Sequence, residues 1–276
     1  MEISVIIPTY NRYTLLKRAL RSVFSQIYQP REVIVVDDGS TDNTQRIIEE
    51  FPNIRYFYQK NSGVSAARNK GIAEAHCKWI AFLDADDEWK PDKLQKQVYY
   101  HKKFQDTFMS YTDEIWIRNH KEVKIPKKFY KIGKDAFLEN IEYCNIAPSS
   151  VLLHKKILDT VGCFDESFEV CEDYDLWLRV ACYYHIGLID EKLIIKHAGE
   201  DEQLSMKYWG MDRWRVRALE KHLSSPHTAQ VCRTLLKKYT LLLKGAVKYD
   251  KISSIDEYQQ KIDSIKVLCE TTAARK

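Results

Sequence analysis

Between residues 3 and 94, four short runs rich in β-branched and apolar residues (Ile3 to Pro8, Glu32 to Asp37, Ile54 to Tyr58, Trp79 to Leu83) alternate with stretches of helical periodicity. Parallel strands need a crossover of about a dozen or more residues between them, and a helix supplies it. The alternation therefore predicts an α/β fold, a mainly parallel central sheet with helices on both faces. Leu15, Leu16, Ala19, Leu20, Val23 and Phe24 form one apolar stripe after the first strand. Further helices are expected around Ile47, Ile48 and Phe51, capped by Ser40 or Thr41, from Ser65 to Ala75, and from Asp92 to Phe104 behind Pro91. From 105 to 170 the pattern loosens. There Lys121, Lys124, Lys127, Lys128 and Lys131 around Pro126 read as an exposed loop or an edge hairpin. A helix carrying Leu176, Trp177, Leu178, Val180 and Ala181 follows Asp173, then a strand near Leu188 to Ile195, and the chain reads as helical from about 206.

Charge sharpens the division. The whole chain has 43 Lys and Arg against 39 Asp and Glu, a net of +4 that excludes a generic nucleic-acid sleeve. Residues 206–276 hold 15 basic and 7 acidic side chains. Residues 1–205 are thus expected to form the main domain, and 206–276 a basic helical extension. Within the extension, Leu235 to Lys244 fits either a basic amphipathic helix on an anionic leaflet or a helix that packs its Leu face on the main domain. No apolar run approaches the roughly 20 residues of a spanning helix, and the first residues lack a basic leader, so a cytoplasmic protein is expected. The seven cysteines are scattered, form no C-x-x-C pair, and read as reduced, partly buried thiols.

The chemistry concentrates at Asp84-Ala85-Asp86-Asp87-Glu88, four carboxylates in five positions straight after a hydrophobic strand. They repel one another unless something positive compensates. Hard oxygen ligands suit Mg²⁺ or Mn²⁺, and ligands of open α/β sheets sit beyond the carboxyl ends of the strands. Against this, Glu88 and in part Asp87 are also the acids that would open the next helix. Asp37-Asp38 ends the second strand, where one carboxylate is expected to cap the Gly39-Ser40-Thr41 turn and the other could accept from a base or ribose. The phosphate loop and the dinucleotide fingerprint are both absent. Glu172-Asp173-Tyr174-Asp175 puts three carboxylates at a helix start, either compensating its dipole or offering a general base. Gly63 to Asn69 joins a turn, a helix start and Arg68, which suits diphosphate contact or pairing with a carboxylate. His197 could ligate a metal or donate to a phosphate. Tyr208, Trp209 and Trp214 could stack on a sugar face.

Taken in order, Val5-Ile6-Ile7-Pro8-Thr9-Tyr10-Asn11-Arg12, Val35-Val36-Asp37-Asp38-Gly39-Ser40-Thr41-Asp42, Gly63 to Gly71, Phe82-Leu83-Asp84-Ala85-Asp86-Asp87, Gly162-x-Phe164-Asp165-Glu166 and Glu172-Asp173 resemble the family 2 glycosyltransferases over about residues 3 to 205. That resemblance implies a GT-A fold and an inverting, metal-dependent transfer from a nucleoside-diphosphate sugar, a UDP-sugar by default, to a glycan or lipid-linked acceptor. It puts Pro8, Thr9, Tyr10 and Asp38 at the base, Arg68 near the diphosphate or base, and Asp84 near the ribose. It also makes Asp86 a ligand of Mn²⁺ or Mg²⁺ and Asp173 the general base. His197 falls roughly where many members carry a His near the metal, although the run from Lys196 to Ser205 is longer than the commonest version. The acceptor side is expected to involve residues 105 to 160, including Asn145, Ser149 and Ser150, together with the basic tail and the inner membrane face. Two rivals follow from the same residues: a metal-dependent phosphohydrolase, disfavoured because Asp87-Glu88-Trp89 would crowd a phosphate with charge, and a binding module without turnover.

Overall fold

The structure, a computed structural model, describes residues 1–197 and 210–273. Tyr208, Trp209 and residues 198 to 205 of the long run after His197 lie outside the described residues. One sheet organises the chain: β1 (Ile3–Thr9), β2 (Glu32–Asp37), β3 (Arg55–Tyr58), β4 (Trp79–Phe82), β5 (Asp87–Trp89), β6 (Met109–Arg118), β7 (Lys121–Val123), β8 (Leu152–His154) and β9 (Ile186–His197). Their order is β3-β2-β1-β4-β8-β6-β9-β5, with β7 paired to β6. The four strands expected from the alternation pair in parallel, with Ile6 opposite both Ile34 and Phe82. β8 then joins β4 to β6 in antiparallel fashion, β9 runs parallel to β6, and β5 runs antiparallel to β9.

The period of two along β1 divides the core. Ile3, Val5 and Ile7 face α1 (Tyr13–Phe24), packing with Leu16, Leu20 and Val23. Ile6 points the other way, joining Ile34 and Val36 with Ala67 and Ile72. Each such side chain, fully removed from water, contributes about 1.5–3 kcal/mol. α2 (Ile47–Glu50) follows β2, while α3 (Val64–Glu74), which carries Ala67 and Ile72, covers the second face. α4 (Lys93–Lys103) adds Leu94 and Val98 to the first face. At Gly71 of α3 a Cβ would overlap the Ile6 side chain, so glycine permits the close approach of α3 to β1.

Residues 105 to 170 hold more structure than their pattern shows, with β6, β8, α5 (Ala136–Asn140) and α6 (Lys156–Val161). β6 escapes a search for alternation because polar residues occupy buried positions: Ser110, Thr112 and Glu114 are all buried, and the β9 register shifts beside Asp113. The lysine-rich stretch is an edge hairpin: Asn119 and His120 both take positive φ, the pairing demanded by a two-residue turn of the I′ kind, and Arg118 faces Lys121. Lys131 at its end is not exposed. Its side chain is 2% accessible and its Nζ lies 2.7 Å from Glu114 Oε2.

α7 (Glu172–Ala181) packs Leu176, Trp177 and Val180 on the sheet. Its opposite face, with Tyr174 and Leu178, receives α8 (Asp212–Glu220), α9 (Thr228–Lys248) and α10 (Ile252–Ala273) through Val216, Leu219, Val231, Leu235, Tyr239, Ile262 and Ile265. The leucine-rich stretch of α9 packs Leu235, and in part Leu236, Leu242 and Leu243, on protein, while Leu241 stays exposed. Lys238, within this stretch, is buried with Nζ 2.8 Å from Asp212 Oδ1 and 2.9 Å from the Glu142 carbonyl. Among the described residues no helix is long and apolar enough to cross a membrane.

Candidate active site

The carboxyl ends of β1, β2 and β4 converge, and their following loops carry the polar residues singled out above. Asp37 caps the turn: its Oδ1 accepts from the Ser40 N–H at 2.8 Å and its Oδ2 from the Tyr56 hydroxyl. Asp38 reaches across the chain, Oδ1 accepting from Gln59 Nε2 (2.8 Å) and the Ser62 N–H (2.9 Å), and Oδ2 from the Gly63 N–H (2.8 Å). It thereby draws loop 59–63 over the end of β2. The Asp38 N–H donates to the Thr9 carbonyl at 2.9 Å, joining the two loops. Pro8 and Thr9 are buried, the Thr9 hydroxyl has no partner among the described residues, and Tyr10 stands 44% exposed at the rim.

Arg68 is the hub. It is 3% exposed. One guanidinium nitrogen lies 2.7 Å from Asp84 Oδ1, the other 2.6 Å from Glu172 Oε1, and the group sits over the Phe164 ring at 5.2 Å. Both arms of the fork are thus spent on carboxylates, and the structure shows Arg68 bridging α7 to the loop after β4 rather than facing open space. Cys171, held at φ 63°, turns the chain into α7 so that Glu172 reaches Arg68. Burial pushes the Glu172 carboxyl up to about 7, against the pull of Arg68 and with the push of Asp173. Burial likewise raises Asp173, opposed by Arg68, by the Tyr174 N–H at 2.7 Å from Oδ1, and by the Cys144 thiol at 3.5 Å from Oδ2.

The acid cluster is laid out differently from the helix-opening reading of its last members. Asp87 and Glu88 belong to β5, with Asp87 opposite Lys196 and Glu88 opposite Ile195, and α4 opens only at Lys93. Pairing with β9 decides this, a contact that no local pattern reveals. Asp87 is buried and accepts from the Ser149 hydroxyl at 2.5 Å; burial raises it well above the usual carboxylate range, with Lys196 pulling the other way. The same Ser149 oxygen accepts from the Asp84 N–H at 3.1 Å. Asp86 Oδ2 lies 2.7 Å from Arg12 Nη1, and Arg18 Nη2 donates to the Asp86 carbonyl at 2.7 Å. Glu88 Oε1 is 2.6 Å from His197 Nε2 and 3.5 Å from Arg18 Nε. The positive charge that the cluster demands is thus supplied in part by Arg68, Arg12, Arg18 and Lys196.

Some expected residues sit elsewhere. Ser149 and Ser150 are fully buried and do not face a surface where an acceptor could sit: Ser149 braces the acid cluster, and the Ser150 hydroxyl donates to the Ala147 carbonyl at 2.7 Å. Asn145 is turned to the end of α5, donating to the Glu139 carbonyl at 2.8 Å. Trp214 packs on Phe168, ring centroids 5.9 Å apart, beneath Arg217. Among the described residues no group of three or more His, Cys, Asp and Glu side chains is placed to enclose a metal. Asp86 and His197 instead sit in two separate pairs. Arg12, as the partner of Asp86, and Cys144 are the participants that sequence reasoning missed, and only Arg12 had a signal, the unbalanced charge of the cluster; Glu172 and Ser149 were singled out, but as a candidate base and an acceptor contact, not as the partners of Arg68 and Asp87.

The family model described as glycosyl transferase family 2 matches residues 4–162. An uncharacterized glycosyltransferase of Rickettsia felis is 34% identical over 195 residues, 70% of this chain and 32% of that protein. The Escherichia coli UDP-Glc:alpha-D-GlcNAc-diphosphoundecaprenol beta-1,3-glucosyltransferase WfaP is 34% identical over 183 residues, 64% of this chain and 69% of that protein. This chain spans about a third of the length of the two Rickettsia relatives that match it over 70% of its own residues at 34 and 35% identity. Among solved structures, Staphylococcus aureus TarS 1-349 in complex with UDP-GlcNAc superposes with a TM-score of 0.67 at 20% identity, covering 96% of this chain and 92% of that one, a likeness of fold.

Proposed function

The chain belongs to glycosyl transferase family 2 and has the GT-A fold, and from that premise we propose that it moves a sugar from a nucleoside-diphosphate sugar, a UDP-sugar foremost, to a hydroxyl of a glycan or lipid-linked acceptor in cell-surface polysaccharide synthesis. The observation that carries this reading is the Arg68 fork, which ties Asp84, the first acid of the Asp84-Ala85-Asp86 D-x-D, to Glu172, beside Asp173. Supporting it, WfaP is named for a UDP-Glc donor and a diphosphoundecaprenol acceptor, and TarS is described in complex with UDP-GlcNAc.

In this reading Pro8, Thr9 and Tyr10 line the base pocket, with Asp38 holding loop 59–63 against it and reaching the base through the one acceptor site that its three protein donors leave. Asp84 approaches the ribose while Arg68 holds its Oδ1 in place. Asp173, its pKa raised by burial, takes the proton of the acceptor hydroxyl as that oxygen attacks the anomeric carbon from the face opposite the leaving diphosphate, which inverts the configuration. Holding donor and acceptor in one crevice supplies orientation. The residues fit a cation carried by the donor's phosphates: Mg²⁺ and Mn²⁺ commonly keep waters and take only one or two protein ligands. Asp86 would be that ligand, exchanging its Arg12 pair, with His197 released from Glu88 as the second. When bound, such an ion neutralises charge on the departing diphosphate.

We propose further that 1–205 is the transferase domain and that 206–276 is a basic helical extension bracing α7. Peripheral contact with the cytoplasmic membrane face is confined, in this proposal, to the α9–α10 tip, where Leu241, Val247, Tyr249 and Ile252 are exposed near Lys244 and Lys248. The test is release of UDP from UDP-glucose and UDP-N-acetylglucosamine in the presence of an undecaprenyl-diphosphate-linked sugar, with the product linkage read by NMR. A product with the donor's anomeric configuration retained, or no release from either donor and no transfer, counts against the proposal.

A further inference from the structure

Cys144 lies in the loop after α5, partly buried, with its Sγ 3.5 Å from Asp173 Oδ2 and 3.4 Å from the Ile146 carbonyl. A thiol has one proton to offer, so it serves one of these acceptors at a time. The Ile146 carbonyl already accepts from Trp177 Nε1 at 2.9 Å and is left satisfied when the thiol turns away. A hydrogen bond to an ionised acceptor is roughly twice as strong as one to a neutral acceptor. The thiol therefore favours Asp173 when that carboxylate is charged and the Ile146 carbonyl when it is protonated. Resting on the assignment of Asp173 as the base, we infer that Cys144 is a positioning residue, a switchable donor that fixes Oδ2 and sets the pH at which Asp173 becomes able to accept a proton.

The other groups that act on Asp173 are Arg68 on α3, Glu172 beside it on α7, Lys196 on β9 and Cys171 at the turn into α7. All of these stay in place when position 144 changes. The Cys144 thiol itself stays protonated, because burial and the Asp173 charge both hold it well above its ordinary value. It is a donor, not a nucleophile.

The test uses Cys144→Ala and Cys144→Ser in the full chain. The Asp173 carboxyl is followed by ¹³C NMR titration, its signal assigned by loss in Asp173→Asn, and kcat/KM for UDP release from UDP-glucose with water as acceptor is measured against pH. Cys144→Ala is expected to move the Asp173 midpoint and the acid limb up by about half a pH unit, a roughly threefold loss of rate below the limb. Cys144→Ser, a better donor of similar shape, should return both to or below the parent values with KM for UDP-glucose unchanged. If both variants titrate as the parent while Asp173→Asn is inactive, the role of Cys144 is overturned and the base assignment stands. If Asp173→Asn releases UDP at a near-parental rate, the base assignment fails and the role of Cys144 falls with it.

Discussion

Replacing Arg68 by methionine removes the guanidinium while keeping most of the side chain's volume. Two charge-assisted contacts of 2.6 and 2.7 Å are lost, and Glu172 and Asp84 are left facing each other without their cation. Removing one partner of a buried ion pair costs about 3–5 kcal/mol. Glu172 carries most of this, since its side chain is 10% exposed against 27% for Asp84. For a chain of this size each kcal/mol lowers Tm by about 2–4 °C, so a fall of roughly 6–20 °C is expected from Arg68→Met. The loss should depend on pH. With the guanidinium gone, the Glu172 carboxyl, already raised by burial, has its folded-state pKa raised further above that of the unfolded chain. Such groups favour folding fully below the unfolded pKa and lose that contribution as pH rises through the folded one. Because Glu172 already stands at about 7 with Arg68 present, the deficit should be largest near pH 8 and shrink towards pH 5. Urea unfolding of parent and variant at pH 5, 6.5 and 8, with equal m-values, measures it. A deficit under about 1 kcal/mol at pH 8, or one equal at pH 5 and 8, would refute the hub role of Arg68.

Further outcomes follow from the same contacts. Asp173→Asn should abolish sugar transfer yet leave UDP affinity within about twofold of the parent, as judged by transfer assay and calorimetry, because the amide keeps the shape but cannot accept the proton. Gly71→Ala should destabilise by about 1–3 kcal/mol in urea melts, since the new methyl group meets Ile6 on a buried strand; a neutral effect would mean that α3 has room to move. Truncation after residue 205 uncovers Tyr174 and Leu178 on α7 and should give an aggregating or proteolysis-sensitive product, whereas a cooperative melt at the parental Tm would show that the extension does not brace the fold. In a vesicle flotation assay, any binding of the full chain to anionic lipid should be lost on Leu241→Ser with Ile252→Ser, and absence of binding by the parent removes the membrane contact.

The parallel half of the sheet was legible because its buried strands run as continuous apolar segments and their helices carry single stripes. Legibility failed where pairing overrides local pattern. β5 is three residues, Asp87-Glu88-Trp89, and forms because β9 lies beside it; nothing in those residues announces a strand. β6 buries Ser110, Thr112 and Glu114; Ser110 and Glu114 are satisfied by the distant partners Gln97 and Lys131, and Thr112 by the neighbouring Asp113 carbonyl. At the site, the expected residues were drawn from motifs whose order along the chain is visible, but a motif does not say which cation meets which acid. Asp86 meets Arg12, 74 positions away in sequence, and Arg68 meets Glu172 at a separation of 104. Ser149 reads in sequence as part of the acceptor side and proves to be the buried brace of Asp84 and Asp87, because only the fold brings its turn beneath β4.

The most direct measurement of the central claim is a calorimetric titration of UDP, GDP, dTDP, CDP and ADP into the protein with Mn²⁺, repeated with EDTA and with Asp86→Ala. The expected result is binding of UDP that is lost with EDTA and weakened at least tenfold in Asp86→Ala, a difference of about 1.4 kcal/mol or more. Binding of none of the five nucleotides in the presence of Mn²⁺, or UDP affinity untouched by both EDTA and Asp86→Ala, would contradict it.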